Sequence, residues 1–218
     1  MSDALSEKIS AGNPAPLGLA GFAFTTFVLS FANSGLFHSD TSGSLEAIAI
    51  VMALFWGGLA QFIAGLFEMR KGNTFGFTAF CSYGAFWFWF AFLFILSYMI
   101  GNDNGSVIGG GSDFYSALGI SLILWGVFTF YMWIPAMHLN LTLNLVFLCL
   151  WITFFLLGFG NWTLASNATN GNNLIHLGGY VGILCAVFAA YGSFADVTNT
   201  IVEHKLPLGP AIKILGKQ

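Results

Sequence analysis

Long apolar runs separated by short polar breaks dominate the chain. About 20 residues rising 1.5 Å each cross the roughly 30 Å hydrocarbon core of a bilayer. Six stretches reach that length, at 17–37, 47–69, 75–100, 114–133, 139–159 and 174–194. The breaks carry the Asn, Gly, Ser and Asp that favour turns; Asn102 to Asp113 is one and Asn161 to Asn173 another. This pattern predicts an all-α integral membrane protein, with a six-helix transmembrane domain over 17–194. An N-terminal tail and helix start at 1–16 and a C-terminal tail at 195–218 flank it. The first run is longer than a signal-peptide core and lacks a following small-residue cleavage site, so it reads as a retained span.

Polar positions inside the runs keep helical rhythm. In the second span Gly58, Gln61, Gly65 and Glu68 fall at i, i+3, i+7 and i+10, one face of a regular helix. Phe22, Thr26, Leu29 and Asn33 repeat that rhythm in the first span, and Asn140 and Asn144 lie one turn apart in the fifth. A polar side chain facing lipid is costly, so such faces mark either an interior pathway or interhelical hydrogen bonds and close packing. Glu68, beside Arg70 and Lys71, reads either as an interfacial residue reaching the headgroups or as a protonatable group at a vestibule. In the sixth span Gly178, Gly182, Ala186 and Ala190 form a small-residue stripe for tight packing of another helix. The third is crowded with Phe86, Trp87, Phe88, Trp89, Phe90, Phe92 and Phe94, and much of it is expected to face lipid or another subunit.

Composition agrees: 57% of residues are hydrophobic and 7% charged, against about 25% charged in an average soluble domain. The six basic residues are Lys8, Arg70, Lys71, Lys205, Lys213 and Lys217, and with six spans all of them share one side. The positive-inside rule makes that side cytoplasmic and puts both termini there. Several functions fall away. No span holds a Lys for a retinal Schiff base or an Arg series to sense voltage. No paired carboxylates, H-E-x-x-H motif or Cys/His cluster supports an intramembrane enzyme, so neither a catalytic residue nor a metal or other cofactor is expected. Cys81, Cys149 and Cys185 read as packing residues inside helices. The triplets Asn104-Gly105-Ser106 and Asn167-Ala168-Thr169 are formal glycosylation sequons in Asn-rich breaks. His138 and His176 sit at helix ends, where caps and packing are the common roles.

Two helix starts stand out. Asn13-Pro14-Ala15-Pro16-Leu17-Gly18-Leu19 reads as an Asn N-cap followed by Pro at the first helical position, and Asn73-Thr74-Phe75-Gly76 opens the third span similarly. Such N-termini attract anions without a fixed cation. The first of these segments, the set Gly57-Gly58-x-x-Gln61-x-x-x-Gly65-x-x-Glu68, and the run Gly72 to Phe80 with Tyr83-Gly84 together resemble the acetate uptake transporter family, the succinate–acetate permeases of the YaaH type. Leu124 to Thr129, Gly160-Asn161 and Ile175-His176 extend the resemblance over nearly the whole chain.

The resemblance implies a plasma-membrane homohexamer, each protomer with its own pore for acetate or another small carboxylate such as succinate, working as a channel or a proton-coupled carrier. It implies a hydrophobic constriction of Phe22, Tyr83 and Leu150, the last placed by matching Leu143 to Phe147. The path on either side would draw on Asn13, Thr25, Gln61, Glu68, Asn73, Thr78, Asn144, Asn161 and His176. For a proton-coupled carrier, Glu68 or His176 would hold the proton. Apart from the lipid bilayer and a carboxylate no partner is expected, nucleic acid included. Ammonium or ammonia transport is the alternative within transport, and a structural membrane protein the alternative outside it.

Overall fold

The computed structural model describes residues 12–100, 111–203 and 205–213. The break at 101–110, with the triplet Asn104-Gly105-Ser106, lies outside the described residues, as do Lys8 and Lys217. Among the described residues six helices are long and apolar enough to cross a membrane. They are α1 (Ala15–Asn33), a rod made of α2 (Ser39–Met52), a π-helical segment (Ala53–Ala60) and α3 (Gln61–Arg70), then α4 (Thr74–Ile100), α5 (Ser112–Ala136), α6 (Leu141–Leu164) and α7 (Ala168–Thr198).

Two spans extend furthest beyond their apolar runs. The second begins at Ser39 and not near residue 47, and α7 covers Ala168–Thr198 where the apolar run gave 174–194. The helix starts also differ from the sequence reading. Helix α1 begins at Ala15 with Pro14 as its N-cap, and Asn13 sits one residue further out, where its Oδ1 accepts from the Ala15 N–H at 3.3 Å. Asn73 does cap α4, its Oδ1 accepting from the Gly76 N–H at 3.0 Å. Asn167 likewise caps α7, accepting from the Asn170 N–H.

The helices close into a ring. Helix α1 packs on α7, α7 on α6, α6 on α5, and on the other side α1 packs on the α2–α3 rod, which packs on α4. The small-residue stripe of α7 is what lets its neighbours approach. A Cβ on Gly178 would stand 2.9 Å from the Leu157 side chain of α6, one on Gly182 would strike Ser30 of α1, and Ala186 is fully buried. The stripe therefore serves contacts within the chain. Aromatic rings make the seam between α4 and α5, with Phe86 against Trp125 at 5.1 Å between centroids and Tyr83 against Phe128 at 5.6 Å.

The aromatic crowd on α4 faces inward more than its bulk implied. Phe86, Trp87 and Phe90 are buried and Phe88, Trp89 and Phe94 half-buried, leaving Phe92 as the one of the seven that is largely exposed. The second-span stripe is interrupted, because Ala53–Ala60 winds as a π-helix and Gly58 does not share the α-helical phase of Gln61, Gly65 and Glu68. Gly58 and Gly65 both press on α4, against Phe88 and Cys81. Here the glycines serve close packing, and only Gln61 of that set lines a cavity.

Candidate functional site

Two cavities enter the ring from opposite ends and share Phe22 of α1 and Leu150 of α6 in their walls. The outer one, on the side away from the basic residues, has a volume of about 570 Å³. The inner one, on the basic side, has about 120 Å³. Phe22, Tyr83 and Leu150 are each buried to 5% exposure or less. The Phe22 and Tyr83 rings lie 6.0 Å apart, and Tyr83 also packs on Phe128 and Phe147. Its hydroxyl donates to Thr129 Oγ1 at 3.0 Å, and Thr129 in turn donates to the Trp125 carbonyl at 2.8 Å. That chain of bonds turns the phenol oxygen toward α5 and leaves the ring as the surface beside Phe22.

Phe22, Thr26, Leu29 and Asn33, the four positions of the α1 face, all line the outer cavity. Thr153 and Asn161 of α6 lie across from them, with aromatic rings of α4 on the third side. Asn161 is held there by donating its amide to the Leu157 carbonyl at 2.8 Å. The inner cavity is lined by Gln61, Asn73 and Asn140, among apolar residues of α1, α4 and α6.

The remaining expected pathway residues are placed otherwise. Glu68 is 1% exposed and so does not reach headgroups; its Oε2 accepts from Asn73 Nδ2 at 2.6 Å, behind the wall of the inner cavity. Asn13 is exposed at the basic end, where its Oδ1 accepts from Lys71 Nζ at 3.0 Å. Thr25 is fully buried where α1 meets Gly57 of the π segment, and Thr78 is half-buried on α4; neither lines a cavity. Asn144 accepts from the Trp133 indole N–H at 2.6 Å, joining α6 to α5. His176 is exposed, its ring beside Gly35, whose φ of +70° accepts no side chain without strain. Of the nine, Gln61, Asn73 and Asn161 line cavities; the other six lie behind, beside or away from them.

Past α7 the chain crosses the basic end as a strap over residues 205–213 without helix. Asn199 binds it twice, accepting from the Leu206 N–H at 2.6 Å and donating to the Leu206 carbonyl at 3.0 Å. Tyr191 donates to the Pro207 carbonyl at 2.6 Å. The Leu208 carbonyl accepts both the N–H and the hydroxyl of Thr142, each at 3.0 Å, so it occupies the start of α6. The Ile212 N–H donates to the Met137 carbonyl at 2.8 Å. Leu208 thereby becomes part of the inner cavity wall.

The model of the GPR1/FUN34/yaaH family matches residues 3–206. The chain belongs to this family. Its relatives include the succinate-acetate/proton symporter SatP of Escherichia coli K12, 40% identical over 198 residues that cover 90% of this chain and 95% of SatP. Acetate permease A of Emericella nidulans is 37% identical, covering 86% of this chain and 62% of its own length. Ammonia transport outward protein 2 of Saccharomyces cerevisiae is also 37% identical, with the same two coverages. A solved structure of the bacterial acetate channel SatP superposes with a TM-score of 0.76 at 38% identity, over 91% of this chain and 99% of that one.

Two carboxylates of this GPR1/FUN34/yaaH family member escaped the sequence reading. Glu46 of α2 lines the outer cavity and Asp196 of α7 the inner one. Glu68 is therefore not the only carboxylate within the membrane-length helices. Both lie just beyond the ends of the apolar runs, where hydropathy alone stops the helix. The signal that finds them is the continuation of helical spacing past the run, Gly192 to Asp196 at i, i+4 in α7 and Glu46 to Ile50 in α2.

Proposed function

We propose that this chain carries acetate and other small carboxylates, succinate among them, across the plasma membrane through the path between its own helices, as a channel or coupled to protons. The observation that carries this reading is the pair of cavities that enter from opposite ends and share Phe22 and Leu150. Ordinary carboxyls have pKa values of about 4 to 4.5, so acetate arrives as an anion near neutral pH. A path without a fixed cation binds that anion weakly, and weak binding permits release on the far side. The hydroxyl of Thr153 and the amides of Asn33 and Asn161 stand in for water in the outer cavity, and the amides of Gln61, Asn73 and Asn140 in the inner. Between them Phe22, Tyr83 and Leu150 meet the methyl group and hold back hydrated ions by partial dewetting.

In this reading both termini are cytoplasmic, so the inner cavity faces the cytoplasm, and six protomers assemble around their own separate paths. The chain performs no covalent chemistry. Labelled acetate uptake into proteoliposomes, with and without a pH gradient and with succinate, formate or ammonium as competitor, tests it. Flux that saturates and is blocked by carboxylates supports the reading. Flux blocked by ammonium alone would favour ammonia transport, and none above empty vesicles would sink both.

A further inference from the structure

Among the described residues each cavity has a single charged residue in its wall, and both are acids: Glu46 in the outer cavity and Asp196 in the inner. Among the described residues no Lys, Arg or His lines either one. An acid beside a path for anions opposes the passenger, and the opposition scales with the passenger's charge. A monoanion meets each acid with one charge, a dianion with two. The two acids stand on different helices, α2 and α7, on opposite sides of the narrowing at Phe22 and Leu150, so a solute passes them in turn.

Glu46 is half-buried on α2, and the breaks on its side of the membrane contain no Lys or Arg to offset it. Asp196 lies within electrostatic range of Glu68 and Lys71, which act on it in opposite senses. Lys71 is turned to Asn13 and Glu68 to Asn73, so Asp196 is the charged group that reaches the cavity.

We infer that Glu46 and Asp196 form a two-stage charge filter that favours singly charged carboxylates over doubly charged ones. The inference rests on the carboxylate-transport reading. It separates selection by charge, in the two cavities, from selection by size, at the narrowing between them. Each extra unit charge about 8 Å from an acid across water is disfavoured about two- to three-fold, and more where the wall lowers the local dielectric.

The test is the ratio of succinate to acetate uptake by the full chain in proteoliposomes near pH 7.5, where ordinary carboxyls of about 4 to 4.5 are ionised. Asp196→Asn and Glu46→Gln should each raise the ratio about two- to three-fold, and the double variant by the product, because the narrowing separates the sites. Asp196→Glu and Glu46→Asp should keep the wild-type ratio. The gain should shrink as salt shortens the screening length to below about 8 Å, a response that altered packing would not give. Acetate flux with an unchanged ratio in both single variants overturns the filter and leaves the transport reading standing. So does acetate flux lost in Asp196→Asn and restored in Asp196→Glu, which would give that carboxylate a different task. A wild-type protein that moves neither acid overturns the transport reading, and the filter with it.

Discussion

The outer and inner halves of the ring are built from the same helices and end in very different spaces, about 570 Å³ against 120 Å³. Aromatic rings line both, Phe86, Phe90 and Phe154 among those of the outer cavity and Phe75, Phe80 and Phe147 among those of the inner. On the basic side Asn73 ties α4 to Glu68, Asn140 caps α6, and the strap hydrogen-bonds across the ends of α5, α6 and α7. Cross-links of this kind hold helix ends together, whereas the outer ends are joined chiefly by apolar packing. The two ends thus differ in how they are held, the basic end by hydrogen bonds between elements and the outer end chiefly by packing.

The largest effect expected from this asymmetry is steric. Ala79 lines the inner cavity and Ala47 the outer. Ala79→Phe should lower acetate flux about ten-fold or more, since a tight site has no room for a ring, while Ala47→Phe should change it less than about two-fold. Equal losses would mean that the difference in volume does not govern flux; size-exclusion profiles would show that both variants assemble. Next in size is Leu150→Ala, which joins the two cavities by removing a shared wall. It should cost about 2 to 5 kcal/mol of stability and let carboxylates larger than succinate compete with acetate uptake, measurable as new inhibitors.

A smaller effect is expected at Tyr83→Phe, which removes the hydroxyl bond to Thr129 and keeps the ring. Stability should fall by about 1 kcal/mol with flux changed only a few-fold, as read from thermal unfolding and uptake on one preparation. Smallest is Thr142→Val. It takes one of the two bonds to the Leu208 carbonyl and leaves the backbone bond, so proteolysis of the strap should quicken by about five-fold or less, in line with a single net hydrogen bond. A strap cut no faster than in the wild type would show that the backbone bond suffices.

The number of spans was legible in the sequence because hydrocarbon thickness imposes a length on every crossing. Their ends were not, because a helix that borders water continues in polar residues after it leaves the apolar run, as α2 does at Glu46 and α7 at Asp196. The α1 face through Phe22, Thr26, Leu29 and Asn33 was readable by period alone. Asn144 carries a polar side chain too, yet it points to Trp133, because a polar group satisfies itself as well on a neighbouring helix as on a cavity, and Thr25 is buried against Gly57. Periodicity gives the face of a residue on its own helix; what lies opposite depends on how the helices are ordered around the ring.

The π-helical segment at Ala53–Ala60 acts as a phase shifter between two registers of one rod. Each residue of a regular helix advances the azimuth by about 100°, so the wider turns set where Gln61 and Glu68 point relative to everything above Ala53. Rewinding those eight residues as a plain α-helix, with none deleted, would rotate all of α3 by roughly that angle relative to α2. Gln61 would leave the cavity and Glu68 its asparagine, with no side chain in either place altered. The wider turns and the extra residue they hold thus go together, and a rod one residue shorter at Ala53–Ala60 would keep the same interior as a plain α-helix.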